Sequence, residues 1–275
     1  MKIIVLGSNG MLGRYVFTYF KSEGYNVINT TRKDLDVLYL KEDELRDKLF
    51  LLGLEKGDVV INCIGILVKP STENPENAIW LNSYFPHYLA KLTKGTKTKV
   101  IHLSTDCVFK GDKGPYKDNV EPDGIGIYAR SKILGEIVND KDLTIRMSII
   151  GPELNPEGSG LFAWFMRQQG RISGYSEVMW SGISTLELAK AVDAMIEADV
   201  TGFYQLAPKY FISKFDLLKT IQKVWKKRDV IIKADDSVKH DKTLICSKQK
   251  IPNYTMPKSY EIMLTELKEF IECYL

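Results

Sequence analysis

Residues 2–22 read KIIVLGSNGMLGRYVFTYFKS, and their reading decides the fold. Lys2–Leu6 is a short apolar run stopped by a glycine, the pattern of a buried strand. Gly7-Ser8-Asn9-Gly10-Met11-Leu12-Gly13 follows, and residues 14–22 are helical in pattern, with Leu12, Val16 and Phe20 on one stripe. The order is strand, glycine turn, helix. Gly7 permits the tight turn, Gly10 lets the backbone approach a pyrophosphate, and Gly13 lets the helix pack close to the strand. The helix N-terminus then offers N–H groups and a positive dipole to phosphates. The spacing is G-x-x-G-x-x-G rather than G-x-G-x-x-G.

Working outward, residues 25–29 read as a second strand. Residues 58–62 (DVVIN) read as a third, opening onto Cys63-Ile64-Gly65. Residues 74–91 carry a long helical pattern, 99–103 a further strand and 143–146 another. Strands alternating with helices predict an α/β protein with a Rossmann-like, doubly wound parallel sheet. Such sheets bind ligands beyond the carboxyl ends of their strands, where the glycine turn, Gly65, Thr105 and Arg146 all fall. The alternation ends near residue 150. A dinucleotide-binding domain is therefore expected over 1–150, and a smaller C-terminal substrate lobe over 151–275. In the lobe, helices are expected at 161–169, 184–198, 213–227 and 258–274, and a strand at 202–207. Helix 184–198, with Ser184 and Glu187 in capping-box positions, is expected to pack back on the sheet.

Composition excludes several classes. The 275 residues are 44% hydrophobic, and the net charge of +3 is small and interspersed, which argues against a nucleic-acid partner. No apolar run reaches membrane-spanning length. The N-terminal apolar run is too short for a signal peptide and enters a glycine turn at once. Cys63, Cys107, Cys246 and Cys273 show neither metal spacing nor a disulfide framework, and His87, His102 and His240 form no ligand cluster. A reducing cytoplasm and no metal are expected.

Chemistry concentrates in residues 102–132, HLSTDCVFKGDKGPYKDNVEPDGIGIYARSK. The strand at 99–103 ends in Ser104-Thr105-Asp106, three oxygen-bearing side chains. Tyr128 and Lys132 stand at i and i+4, on one helical face. A nearby ammonium favours a phenolate and lowers the tyrosine value, so this pair beside a strand-end hydroxyl predicts a proton donor aimed at a carbonyl oxygen. Cys107 reads as a half-buried small side chain, because no histidine or cation is placed to activate it. After the second strand come Thr30-Thr31-Arg32-Lys33, with no carboxylate before Asp34. Arg32 there suits a ribose 2′-phosphate, which favours NADP(H) and leaves NAD(H) open.

With GSNGMLGRYV, VINCIG, STDCVFKG, YARSKILGE, TIRMSIIG and WSGISTLELAKAV in this order, the chain resembles the extended short-chain dehydrogenase/reductases. Within them it is similar to the dTDP-4-dehydrorhamnose reductase family of nucleotide-sugar reductases. The resemblance implies an NADPH-dependent reductase of a nucleotide-linked 4-keto-6-deoxysugar, dTDP- or UDP-linked, in polysaccharide biosynthesis. It implies a catalytic set of Thr105, Tyr128 and Lys132, the last also holding the nicotinamide ribose. It places Gly7, Gly10, Met11 and Leu12 at the pyrophosphate, Asp36 and Val37 beside the adenine, and Cys63, Ile64 and Gly65 along the cofactor. Ser104, Thr105 and Asp106 fall on the substrate side. The chain departs from the family pattern at Cys107, where a tyrosine is usual, and at Arg146-Met147-Ser148-Ile149, which lacks the usual tryptophan. Trp180, expected in the loop before Gly182, is a candidate replacement platform. An epimerase shares the fold and triad. A dehydratase does too, but Cys107 supplies no carboxylate. A non-catalytic regulatory subunit, as of methionine adenosyltransferase, resembles the same family, and a homodimer is compatible with all of these.

Overall fold

The computed structural model describes residues 1–54, 59–155, 157–248 and 250–275. Its strands are β1 (Lys2–Leu6), β2 (Asn26–Thr30), β3 (Val59–Asn62), β4 (Lys99–Thr105), β5 (Tyr116–Lys117), β6 (Leu143–Met147), β7 (Ile149–Ile150), β8 (Gly170–Trp180), β9 (Ile183–Ser184), β10 (Gly202–Gln205), β11 (Ile212–Ser213), β12 (Val230–Asp241) and β13 (Leu244–Ile245). Its helices are α1 (Met11–Ser22), α2 (Glu42–Leu51), α3 (Val68–Glu73), α4 (Pro75–Ala78), α5 (Phe85–Leu92), α6 (Ile127–Leu134), α7 (Leu161–Arg167), α8 (Thr185–Glu197), α9 (Lys214–Val224) and α10 (Tyr260–Tyr274). Asp58, expected to open the third strand, lies outside the described residues.

The chain divides into two compact units. The first comprises residues 1–109, 121–146 and 199–204. A six-stranded sheet of order β10-β6-β4-β3-β1-β2 organises it. The β1–β2, β1–β3 and β3–β4 pairs are all parallel, as a doubly wound sheet requires. Every residue of β3 is buried, which is why it reads as an apolar run, Val59-Val60-Ile61, closed by the buried Asn62. Ile4, Leu6, Val60 and Val100 of the sheet pack with Leu45 and Leu49 of α2 and Phe85 and Leu89 of α5 in one core cluster. Fully burying such side chains is worth about 1.5–3 kcal/mol each.

The long helix expected over 74–91 forms, running from Pro75 to Leu92, but it is not α-helical throughout. A π-helical turn, Ile79–Tyr84, separates α4 from α5. The cause is Pro86, which has no N–H to return to the carbonyl of Asn82 and whose ring crowds that carbonyl. Widening the turn relieves the clash. It also brings the Asn82 carbonyl against Gly135, where a Cβ would stand 1.8 Å from the oxygen.

The second unit comprises residues 110–120, 147–198 and 205–275. A three-stranded sheet of order β11-β8-β12 anchors it, with β12 parallel to β8 and a register shift between Asp235 and Lys239. Neither long strand was expected from the sequence. Helix α8 is capped as predicted at one end, with Ser184 Oγ accepting from Glu187 N at 3.1 Å. The Glu187 side chain does not close the box; it is 2% exposed and bonded to Tyr254 and Lys190. The helices expected at 213–227 and 258–274 begin one residue after Ser213 and Ser259, whose hydroxyls cap them. Among the described residues no helix is long and apolar enough to cross a membrane.

Candidate active site

The glycine turn forms as its spacing requires. Gly7 takes φ +78°, which an L side chain rarely adopts, and its carbonyl accepts from Gly10 N at 3.0 Å. A Cβ on Gly13 would stand 2.3 Å from the Gly7 carbonyl oxygen. Helix α1 therefore begins hard against the turn. No side chain caps its N-terminus and no acidic residue stands in its first turn, so its leading N–H groups and dipole are not answered by a side chain. Ser8 is directed away, its hydroxyl donating to Thr30 O at 3.0 Å.

This turn opens onto a cavity of about 330 Å³ in the first unit. Of the residues expected at a cofactor, Gly7, Gly10, Arg32, Asp36, Val37, Cys63, Ile64 and Gly65 line it. Met11 and Leu12 do not; they are half-buried in the first turn of α1, where only their backbone N–H groups are on offer. Asn9, Leu38 and Leu81 also line it and were not anticipated. Arg32 is exposed at the cavity edge. Asp34 turns back to its own loop, its Oδ2 accepting from Thr31 N and Thr31 Oγ1, both at 2.8 Å. Those bonds hold its carboxyl below the usual range. Burial pushes the Cys63 thiol up to about 12, so it is a neutral wall of the cavity. A cavity walled by the glycine turn, with an uncapped helix N-terminus at the turn and an exposed guanidinium at its edge, fits a dinucleotide with a 2′-phosphate.

Asn82 was missed by the sequence reading and holds the cavity wall. Its Oδ1 accepts from Ile66 N at 3.0 Å, while Nδ2 donates to Ile66 O and to Ser131 Oγ, both at 3.1 Å. One amide thus ties the loop after β3 to α6. The available signal was a buried polar residue inside an amphipathic pattern, four positions before a proline.

Two parallel strands away from the glycine turn, β4 ends at Thr105. The Thr105 and Tyr128 hydroxyls share a hydrogen bond. Thr105 Oγ1 also accepts from Cys107 N at 3.1 Å and donates to Asp106 Oδ1 at 3.2 Å. Asp106 is 8% exposed and braces Thr105. Ser104 is not available to a substrate: it is 4% exposed and donates to Glu136 Oε1 at 2.6 Å. Glu136 also receives Arg146 Nε at 3.0 Å and a second guanidinium nitrogen at 2.7 Å. The Arg146 guanidinium lies between the Phe109 and Phe203 rings, at 4.9 and 4.5 Å. Arg146, expected at the cleft, is a buried brace instead.

The electrostatics at Tyr128 correct the expectation. Burial raises its phenol, with further upward pushes from Cys107 and Asp106 and a downward one from the Thr105 bond. No lowering by Lys132 appears. The Lys132 amine donates to Leu103 O at 2.7 Å and lies 3.3 Å from His102 Nε2. Burial lowers it to about 8, against an upward push from Glu136. The i, i+4 spacing puts the two residues on one helix, but the lysine nitrogen is held by β4.

In the second unit, Trp180 is the last residue of β8 rather than a loop residue. It is 3% exposed, donates from Nε1 to Ser148 Oγ at 2.7 Å and packs on Tyr260. A ring so enclosed is packing for this unit, not a platform open to a ligand. Among the described residues no group of three His, Cys, Asp or Glu side chains could hold a metal.

Comparison with known proteins places these features in context. The profile described as RmlD substrate binding domain matches residues 1–243. A dTDP-4-dehydrorhamnose reductase of Mycolicibacterium smegmatis is 33% identical over 138 residues, 49% of this chain and 40% of that protein. The match thus spans less than half the length of that curated relative. Among solved structures, a dTDP-4-dehydrorhamnose reductase from Clostridium acetobutylicum superposes with a TM-score of 0.81 at 21% identity, covering 99% of this chain and 100% of that one. One from Bacillus anthracis, solved in complex with NADP, gives 0.79 at 20% identity and covers 98% of each chain. At these identities the likeness to the solved structures is one of fold.

Proposed function

The chain belongs to the RmlD substrate binding domain family, and from that premise we propose that it is an NADPH-dependent reductase of a nucleotide-linked 4-keto-6-deoxysugar. The observation that carries this reading is the pairing of the Thr105 and Tyr128 hydroxyls at the carboxyl end of β4, on the same sheet as the glycine-cradled cavity. Gly7, Gly10 and the first turn of α1 would hold the pyrophosphate, Arg32 the 2′-phosphate, and Asp36 and Val37 the adenine side. Bound NADPH supplies hydride chemistry. The protein's own part is to handle the oxygen of the ketone. Tyr128, kept protonated by its surroundings, donates its proton to that oxygen as negative charge develops there. Thr105 hydrogen-bonds the same oxygen and orients the phenol. Lys132, once charged, favours the phenolate that Tyr128 leaves behind.

The four cysteines, all free, support a reducing compartment such as the cytoplasm, and the family likeness supports a role in polysaccharide biosynthesis. The experiment is a panel of dTDP- and UDP-linked 4-keto-6-deoxysugars with NADPH, followed by its absorbance. Stoichiometric loss of NADPH with one of them is the expected result. Conversion of a sugar nucleotide with no net NADPH loss would replace the reductase reading with an epimerase. No conversion across the panel, together with a stable co-purifying protein, would replace it with a regulatory subunit.

A further inference from the structure

Asn62 and His102 are register partners on the neighbouring strands β3 and β4, and both are fully buried. The Asn62 amide cannot be turned freely. Its Oδ1 accepts from Ile64 N at 3.1 Å, so its NH2 faces His102 Nδ1 at 3.3 Å. Nδ1 must therefore present its lone pair. A neutral imidazole carries one proton, which is then on Nε2. That N–H lies 3.3 Å from Lys132 Nζ, and the lysine nitrogen already donates to Leu103 O at 2.7 Å. An ammonium has only donors, and two donors facing each other in a buried site repel. An amine has a lone pair to receive the imidazole N–H.

We propose that Asn62 fixes the tautomer of His102, and that the His102 N–H thereby weakens the hold of Lys132 on its proton in the cofactor-free protein. This makes His102 a positioning residue for Lys132, and it rests on the reading of Lys132 as part of the site. The electrostatic surroundings agree in direction. Burial pushes His102 well below its ordinary value, and Lys132, when charged, and His87 of α5 push the same way, so the ring does not become a cation near neutrality. Burial lowers Lys132, and the one group pulling it back up is Glu136, which is already engaged by Arg146 and Ser104.

The arrangement has a consequence for loading. Lys132 becomes an ammonium by taking one proton from solvent. His102 Nε2 then has to accept, so its proton passes to Nδ1, and the Asn62 amide has to rotate and give up Ile64 N. Ile64 is in the cavity wall. The charge on Lys132 is thus coupled to the backbone that a bound dinucleotide would touch.

The test uses the whole chain without cofactor, labelled with 15N-histidine; the chain has three histidines, and a His102→Gln spectrum assigns the signal. Wild type should show His102 as the Nε2–H tautomer at mildly alkaline pH, where Lys132 is the neutral amine, and should shift towards Nδ1–H only as Lys132 takes up its proton. Asn62→Asp offers only acceptors to Nδ1 and should convert the ring to Nδ1–H, and the Lys132 titration should rise above its wild-type value. A wild-type ring that is doubly protonated at neutral pH, or protonated on Nδ1 at mildly alkaline pH, overturns the proposal, and that spectrum decides even where Asn62→Asp fails to fold. Because no substrate or turnover is involved, the result stands apart from the panel assay above.

Discussion

Tyr128 and Lys132 lie one turn apart on α6, yet their polar ends are held by different partners: the phenol by Thr105, the amine by Leu103 O and His102. Proton donation and its electrostatic tuning are therefore separable. Tyr128→Phe keeps the ring and removes the proton. Turnover should fall by roughly two to four orders of magnitude, with NADPH affinity retained. Wild-type turnover in this variant would end the assignment of Tyr128.

The cofactor preference turns on Arg32, exposed at the cavity edge while Asp34 is committed to Thr31. Arg32→Ala should weaken NADPH binding by on the order of ten- to a hundredfold, the usual worth of a charge-assisted contact, and leave NADH nearly unchanged. Its salt dependence should flatten, since an exposed phosphate contact is screened. Equal binding of both cofactors by wild type and variant would show Arg32 to be a solvated loop residue.

Lys132 links the site to stability. Its folded value of about 8 lies below the ordinary 10.5. Between those values the unfolded chain binds the proton more than the folded chain does, so stability contributed at this site rises with pH across that window. Relative to Lys132→Met, wild type should gain stability as the pH is raised from neutral towards 10, as read by urea midpoints. A constant difference between the two proteins would mean that Lys132 is charged when buried.

Gly13→Ala places a methyl against the Gly7 carbonyl, which is backbone and cannot swing aside. The strain should cost about 1–3 kcal/mol and disturb the cradle, so thermal stability and the stabilisation by added NADPH should both fall. An unchanged Tm would mean that α1 shifts freely on the turn.

Ser104→Ala separates bracing from binding. It removes a donor to the buried Glu136 carboxylate and should lower stability by roughly 1–3 kcal/mol, while KM for the sugar nucleotide stays near the wild-type value. A large rise in KM at unchanged Tm would return Ser104 to the substrate side.

The parts of this molecule that were legible in the sequence are those encoded locally. The glycine turn announces itself because only residues without a Cβ fit it. β1, β3 and β4 announce themselves because burial on both faces demands short apolar cores, residues 3–6, 59–61 and 100–101 with Leu103. The π-helical turn ahead of Pro86 was readable from the missing N–H but was overridden by the amphipathic pattern around it. β8 and β12 were not readable: both mix exposed and half-buried positions with serine and charge, β8 with glycine as well, and their pairing joins segments far apart in the chain. The fate of the Lys132 nitrogen was hidden for the same reason, since it depends on Asn62 and His102 from two other strands.

β12 pairs on one side only, with β8, among the described residues. A strand edge templates a second copy through its unpaired N–H and carbonyl groups, but the ends of this one are engaged, with Val230 O accepting from Gln222 Nε2 at 2.6 Å and Asp241 N donating to Gly111 O at 2.8 Å. The register shift between Asp235 and Lys239 interrupts that row, and Lys233, Asp235, Asp236, Lys239 and Asp241 load it with charge. The irregularity in this strand thus bears on colloidal behaviour: replacing Asp235, Asp236 and Lys239 with threonine or valine would leave a flatter ribbon with less charge, and crowded chains should associate along it more readily.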